Sequence, residues 1–363
     1  MLIVRPARLE DLDSFLELAR LAGPGFTSLA VSDNELKERL EKSAKSFANP
    51  EDSPGDYVFL LMLEDTQTRE VVGVGAIKSQ VGIEKPFFNF KILNIIQSSR
   101  AADRHFNMEV MLLVNEYSGA SEVGTLFVKS KMRGTGAGRL ISQSRYMFIA
   151  ASPSRFSETV ISELRGRVDK NGYSPFWEAL GRKFFKMDFA EADKITAETD
   201  NQFITDLMPK YPIYTAVLAE EGQAVIGKAH PDGQAARRLL IEEGFRHENC
   251  VDIFDGGPTM AVPRDQIRTV KDSLLLPVST EDQSGKQTAR ALVSNNRVED
   301  FRAVFTHVKI KDECAYLTKD TAQALNIKTG DMARIMLARL SSISKPRMND
   351  RSIFSLSKGN LCR

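Results

Sequence analysis

The sequence predicts an α+β fold with a small β-barrel-like domain at its C-terminal end, and three observations carry that prediction. Strand-like and helix-like runs alternate along residues 1–260, a glycine-rich loop joins one strand to one helix, and short β-rich pieces follow the turn Asp255-Gly256-Gly257-Pro258. The expected organisation is a larger domain over 1–260, a small barrel-like domain over 261–342 and a basic tail over 343–363.

In chain order, Leu2 to Arg5 reads as a short strand. Arg8 to Ala22 reads as a helix, because Leu9, Leu12, Phe15, Leu16 and Leu18 or Ala19 recur at helical spacing. Tyr57 to Glu64 and Glu70 to Lys78 are β-rich runs joined by the polar turn Asp65 to Arg69, the pattern of a hairpin. Phe87 to Leu93, Val110 to Val114 and Glu122 to Lys129 are further strands, and the last runs through a glycine-rich loop into a helix over Ala137 to Ala151. Thr159 to Leu164 follows as a strand, then a helix over Pro175 to Phe185 with Pro175 in its first turn. Helices near Asn201 to Met208 and Gln234 to Glu243 lead to a strand over Phe245 to Phe254. The last strands are Leu274 to Val278, Arg290 to Val293, Ala303 to Val308 and Ala333 to Leu340. The helix, Gly-Asp turn and strand over Leu317 to Ile335 loosely resemble small double-psi barrels, and packing or assembly is the role expected of that domain.

Composition narrows the function classes. With 363 residues, 42% hydrophobic and 27% charged, the chain has the profile of a soluble protein able to bury a sizeable core. Its 49 Lys and Arg against 48 Asp and Glu leave a charge of +1, so composition draws it toward neither nucleic acid nor an anionic membrane. Three scattered cysteines and four scattered histidines fit reduced thiols without zinc spacing, and no metal is expected. No apolar segment near Met1 suits an export signal and no run is long enough to span a bilayer, so the cytoplasm is the expected location. The tail from Ile343 carries five basic residues and one acidic one; it reads either as a solvated terminus or as a contact for a partner chain or anion.

Arg133-Gly134-Thr135-Gly136-Ala137-Gly138 lies between a strand and a helix, where backbone N–H groups and the helix dipole favour an anion. It is not a Walker loop, since Arg139 stands where Lys-Ser or Lys-Thr would be needed, and its alternate glycines do not match the dinucleotide fingerprint. Arg-x-x-Gly-x-Gly resembles the pyrophosphate loop of the coenzyme A-dependent N-acyltransferase (GNAT) superfamily. Its flanks, Ser121 to Phe127 and Leu140 to Ala150, resemble the bacterial arginine N-succinyltransferase family. So do Ser174-Pro175-Phe176-Trp177, Phe184 to Phe189, Leu207 to Thr215, Val225 to Pro231 and Val251 to Thr259.

The resemblance runs to about Leu340 and implies a GNAT-type acyl-CoA N-acyltransferase fold with a small C-terminal β-barrel-like domain. The implied activity is transfer of a succinyl group from succinyl-CoA, a co-substrate rather than a bound cofactor, to the α-amino group of L-arginine, the first step of a succinyl-dependent arginine catabolic route. Some members pair two related chains and take ornithine, which implies a homo-oligomer or an assembly with a related chain. The non-catalytic chain type lacks a good phosphate loop, whereas this sequence keeps one. Gly124, where Cys is common, and Ala30, where Pro often follows Thr27-Ser28-Leu29, leave acceptor preference open between arginine, ornithine and other amino acids.

By the same resemblance Leu126 contacts succinyl-CoA on the strand before the loop, Arg133, Gly134, Gly136 and Gly138 hold pyrophosphate, and His230 donates a proton. Imidazole titrates near neutrality and suits that task; read without the resemblance, His230-Pro231 opens the helix that follows. Phe176 and Trp177 cannot supply the tyrosine hydroxyl that many GNAT enzymes use. Glu163, Asp169, Asp252 and Asp255 are candidates for a guanidinium, Arg165 and Arg145 for carboxylates, and Tyr214 is either a site hydroxyl or core.

Overall fold

The computed structural model describes residues 1–23, 28–29, 31–189, 191–192, 195, 202–280 and 288–338; Thr27, Ala30, Asn201 and the basic tail lie outside them. The described strands are β1 Leu2–Pro6, β2 Val58–Asp65, β3 Val71–Lys78, β4 Asn89–Ser99, β5 Arg104–Val114, β6 Ser121–Val128, β7 Thr159–Glu163, β8 Ile213–Tyr214, β9 Arg246–Asp252 and β10 Pro258–Pro263, then β11 Leu274–Ser279, β12 Ala289–Asn295, β13 Ala303–Lys311, β14 Cys314–Tyr316 and β15 Met332–Leu337. The helices are α1 Leu12–Ala22, α2 Asp33–Ala48, α3 Ala137–Ala151, α4 Pro175–Ala179, α5 Gly181–Phe185, α6 Gln202–Leu207, α7 Glu220–Gln223, α8 Gln234–Glu242, α9 Arg268–Asp272 and α10 Lys319–Ala324.

The first ten strands lie in the order β1-β2-β3-β6-β7-β10-β9-β4-β5-β8, and every neighbouring pair is antiparallel except β6 with β7. The last five close on themselves as β12-β15-β11-β14-β13-β12, the barrel expected from the sequence. A single register pair, Val4 with Ala303, joins the barrel to the edge of the large sheet.

Helix α3 lies where the two parts meet. Twelve of its residues are buried, among them Leu140, Ile141, Tyr146, Met147, Phe148 and Ile149. Its apolar side chains share one core with Phe59, Leu61 and Ile77 of the sheet and with Leu292, Phe301, Ala303 and Met336 of the barrel. Burial of each large apolar side chain contributes about 1.5–3 kcal/mol, so the helix cannot shift without disturbing both parts. Its far side is tied through Glu243, whose buried carboxylate accepts from Gln143 Nε2 (2.9 Å), Arg268 Nη2 (2.7 Å) and the Thr269 amide (2.8 Å).

Several elements differ from expectation. Helix α2 has no counterpart among the expected elements, although its signal is in the sequence: Ser32 Oγ accepts from the Glu35 amide (3.3 Å) and Glu35 Oε2 from the Ser32 amide (2.9 Å), a capping box. Strands β4 and β5 extend past their apolar runs as a ribbon paired over eleven residue pairs, because cross-strand pairing does not need a buried face on both sides. The segment from Pro258, which reads in the sequence as the end of a turn, is strand β10 between β7 and β9, and it spans the boundary expected at residue 260.

The expected helix over Pro175 to Phe185 breaks at Leu180 (φ −127°, ψ −71°). Trp177 is fully buried and lies against Gly181, where a Cβ would stand 2.1 Å from its ring. Alanine favours a helix over glycine, yet Gly181→Ala should lower stability by about 1–3 kcal/mol through overpacking. Thermal unfolding checks this, and an unchanged or higher Tm would contradict the contact.

Candidate active site

Strands β6 and β7 begin side by side and part almost at once: Ser121 pairs with Val160 and Glu122 with Ile161, and the register ends there. Two side chains occupy the β6 carbonyls past that point. Ser162 Oγ donates to the Val123 carbonyl (2.8 Å), and Arg145 Nη1, reaching up from α3, donates to the Gly124 carbonyl (3.0 Å). On the β3 side the register jumps from Gly124 to Phe127, and Thr125 adopts φ +49°, a left-handed conformation uncommon for a residue with a Cβ. Thr125 and Leu126 therefore have no register partner on either neighbour, and Gly124, Thr125 and Leu126 are all partly accessible in the cleft. The Leu126 side chain packs against the main core.

The glycine-rich loop follows β6 and leads into α3. A single turn over Ser130–Met132 leads to Arg133, and Gly134 (φ +81°) and Gly136 (φ +93°) take left-handed conformations that favour glycine. The first helical bond of α3 runs from the Leu140 amide to the Gly136 carbonyl (2.9 Å). The amides of Gly134, Gly136, Gly138 and Arg139 have no acceptor among the described residues. Four unpaired N–H groups at the positive end of a fifteen-residue helix are an arrangement that favours an anion. Arg133 is exposed and its side chain pairs with no described residue, whereas Arg139 is held by Glu242 (2.5 Å).

His230 stands before the short turn Pro231–Gly233 and is tied to the chain leaving β7, since its amide donates to the Arg165 carbonyl (2.7 Å). The Asp232 amide donates to His230 Nδ1 (3.2 Å), with the Asp232 carboxylate 3.7 Å from the same nitrogen. Burial and the Arg165 cation push its pKa below the ordinary histidine value, so the ring is neutral at neutral pH. The ring thus caps the turn, beside the chain that leaves β7.

The acidic candidates separate by their partners. Asp169 accepts from the amides of Asn171 (2.8 Å) and Tyr173 (2.9 Å) and organises an exposed turn. Asp255 accepts from the amides of Gly166 (2.7 Å) and Gly257 (2.8 Å), knotting the β7 extension to the β9–β10 turn, and Asp252 accepts from the amides of Phe254 and Asp255, both at 2.8 Å. Burial pushes both of these carboxyls up, and for Asp255 the neighbouring Asp252 adds to it. Glu163 differs: it lies at the cleft end of β7, partly accessible, and its Oε1 meets Asn89 Nδ2 (3.1 Å) and Thr259 Oγ1 (3.4 Å). Desolvation, Asp252 and Glu122 push its carboxyl well above the ordinary range.

Arg145 is buried, and each of its three nitrogens already donates to Ser142 or Gly124, so it is engaged by its own helix and β6. Tyr214 is exposed and paired on β8 with Val110, at the far edge of the sheet. Sequence reasoning misses Glu122 and Arg39: Lys78 pairs with Glu122 (2.8 Å), and Arg39 on α2 is close enough to feel its charge. A Cβ at position 124 would meet Glu122 Oε1 at 3.3 Å, so any side chain there would press on that carboxylate and glycine leaves it clear.

A family profile described as arginine N-succinyltransferase beta subunit matches residues 2–269, and one described as its C-terminal domain matches residues 275–336. The chain is 38% identical over 347 residues to an arginine N-succinyltransferase of Citrobacter koseri, covering 95% of this chain and 99% of that one. A protein of the same name from Salmonella schwarzengrund is 37% identical over 336 residues, with 93% and 97% covered. The solved arginine/ornithine succinyltransferase subunit AI of Pseudomonas aeruginosa superposes with a TM-score of 0.83 at 32% identity, covering 93% of this chain and 98% of that one.

Glu163 gives a pH test of the cleft. A carboxyl whose folded pKa is raised contributes stability that is complete below its unfolded pKa and is lost as pH rises through the folded one. Glu163→Gln removes that loss, so it should unfold at a higher temperature than wild type at about pH 8, with the gap closing toward about pH 4. A variant less stable than wild type at the higher pH would contradict the placement.

Proposed function

The chain belongs to the arginine N-succinyltransferase family, and on that footing we propose that it transfers the succinyl group of succinyl-CoA to the α-amino group of L-arginine. Its fold is the α+β GNAT-type acyltransferase fold with a C-terminal barrel, and it is an acyltransferase. The observation that carries the site assignment is the cleft between β6 and β7, open past Glu122, with four unpaired amides in the loop and helix start that follow β6.

In this reading Arg133 and the amides of Gly134, Gly136 and Gly138 hold the CoA pyrophosphate. The pantetheine arm then runs along the free stretch of β6, with the Leu126 amide facing the thioester oxygen. The acceptor's α-amino group has an ordinary pKa of about 8 and must lose a proton before it attacks. Its nitrogen bonds to the thioester carbon, the oxygen becomes an oxyanion, and collapse expels CoA as a thiolate while the amide forms. The proton shed by the amine balances the one the thiolate takes up. His230 serves as the acid: once protonated, a state the Asp232 carboxylate 3.7 Å away favours, the ring hands its proton to the thiolate. Glu122 supplies negative charge for the guanidinium end, and the guanidinium cation would draw the raised pKa of Glu163 back down so that it ionises against the substrate. The Pseudomonas aeruginosa relative is named an arginine/ornithine succinyltransferase subunit, which favours as a second reading that L-ornithine is also taken and that the chain assembles with a related one.

Two variants separate binding from chemistry. His230→Ala should lose about 10²–10⁴-fold in kcat and keep its affinity for succinyl-CoA, and an unchanged rate would remove His230 from the proton path. Gly136→Val forces a branched side chain into a left-handed position, so the Kd for succinyl-CoA should rise with the acceptor KM unaffected; unaltered donor binding would place the pyrophosphate elsewhere.

A further inference from the structure

The barrel comes up against the phosphate loop at one side chain. The position a Cβ would take at Gly136 has one neighbour within 4 Å, Nη2 of Arg290, at 3.7 Å. Arg290 lies on β12, opposite His307 on β13 in the barrel register. We propose that Arg290 binds phosphate oxygens of coenzyme A, so that the acyl-donor site is completed by the barrel; this rests on the acyl-donor site proposed above.

Three features support it. First, the guanidinium has no hydrogen bond or ion pair with the described residues, and it lies 5.1 Å from the Phe305 ring centroid. Stacking on an aromatic face holds the group while leaving its N–H donors available. Second, its position is fixed by the fold. Leu292, two residues along β12, pairs with Met336 on β15, and both pack in the same core as Ala137 and Leu140 of α3. The strand that carries Arg290 and the helix that carries the amides therefore form one packed unit. Third, the local charge has no internal counterpart. Arg139 is neutralised by Glu242, whereas Arg133 and Arg290 have no carboxylate partner among the described residues. Two exposed guanidinium groups without a carboxylate partner and four unpaired amides leave this end of the loop positively charged. Coenzyme A offers two such anions, its pyrophosphate and its 3′-phosphate, and the planar fork of arginine suits either.

The test is calorimetric titration of the full-length protein with coenzyme A and with 3′-dephospho-coenzyme A, using wild type, Arg290→Ala and Arg290→Lys. Loss of charge-assisted hydrogen bonds should raise the Kd of Arg290→Ala for coenzyme A by about 10- to 100-fold. Arg290→Lys should fall between, since it keeps the charge without the fork, and it also controls for folding. A loss seen with both ligands assigns Arg290 to the pyrophosphate, and a loss confined to coenzyme A assigns it to the 3′-phosphate. Wild-type binding with an unchanged Kd in Arg290→Ala would overturn the role of Arg290 alone, whereas absence of wild-type binding would overturn the donor site itself.

Discussion

Everything in the site hangs on the burial of helix α3. A helix with twelve buried residues, wedged between a sheet and a barrel, has no freedom to slide or turn. Its N-terminal amides therefore point at one place in space, set before any ligand arrives. Arg145 shows the same constraint from within: its guanidinium is buried in the helix interface and spends itself on the Gly124 carbonyl, so the helix also fixes the strand whose backbone lines the cleft. Preorganisation of this kind would lower the ordering cost of binding an anion at the loop.

The parted strands are the second consequence. Parallel strands normally continue their ladder, and here the ladder stops after two register pairs, with Ser162 Oγ and Arg145 donating to the β6 carbonyls where β7 would have done so. The bulge at Thr125 re-aims the strand, a use of strained backbone typical of sites. On the other wall, Asp252 and Asp255 take up amides of the β9–β10 turn and the β7 extension, and that knot fixes the chain leaving β7, whose Arg165 carbonyl accepts from the His230 amide. Glu163 is the carboxyl on that wall whose Oε1 meets side chains, Asn89 and Thr259, rather than backbone amides, which is why it is the one proposed for a cationic acceptor.

Much of this is legible in the sequence, for identifiable reasons. Helix α3 and its loop are local: a periodic apolar run with glycines before it, and the structure has Ala137–Ala151 as expected. Helix α2 is equally local, announced by Ser32 and Glu35, but charged and polar side chains dominate it and only a few residues, Leu36, Leu40 and Phe47, carry the apolar period. Strand β10 is hidden by the glycines and proline before it, which read as a turn until β7 and β9 are seen to need a strand between them. The parallel pairing of β14 with β11 joins segments far apart in the chain and leaves no local trace. Among site residues, the loop glycines follow from spacing. The contrast between Glu163 and its neighbours Asp252 and Asp255 does not, because backbone amides decide it; nor does the approach of Arg290 to Gly136, which needs the closed barrel.

In the proposed reaction one rigid helix, held by sheet and barrel, presents a succinyl thioester to an amino acid. The most direct measurement is free thiol release by the purified chain, given succinyl-CoA or acetyl-CoA and, separately, L-arginine, L-ornithine or L-lysine. Rapid release is expected with succinyl-CoA and L-arginine, and little with acetyl-CoA. Silence with every pair, despite measurable binding of coenzyme A, would contradict it and make the chain a subunit whose chemistry lies in a partner.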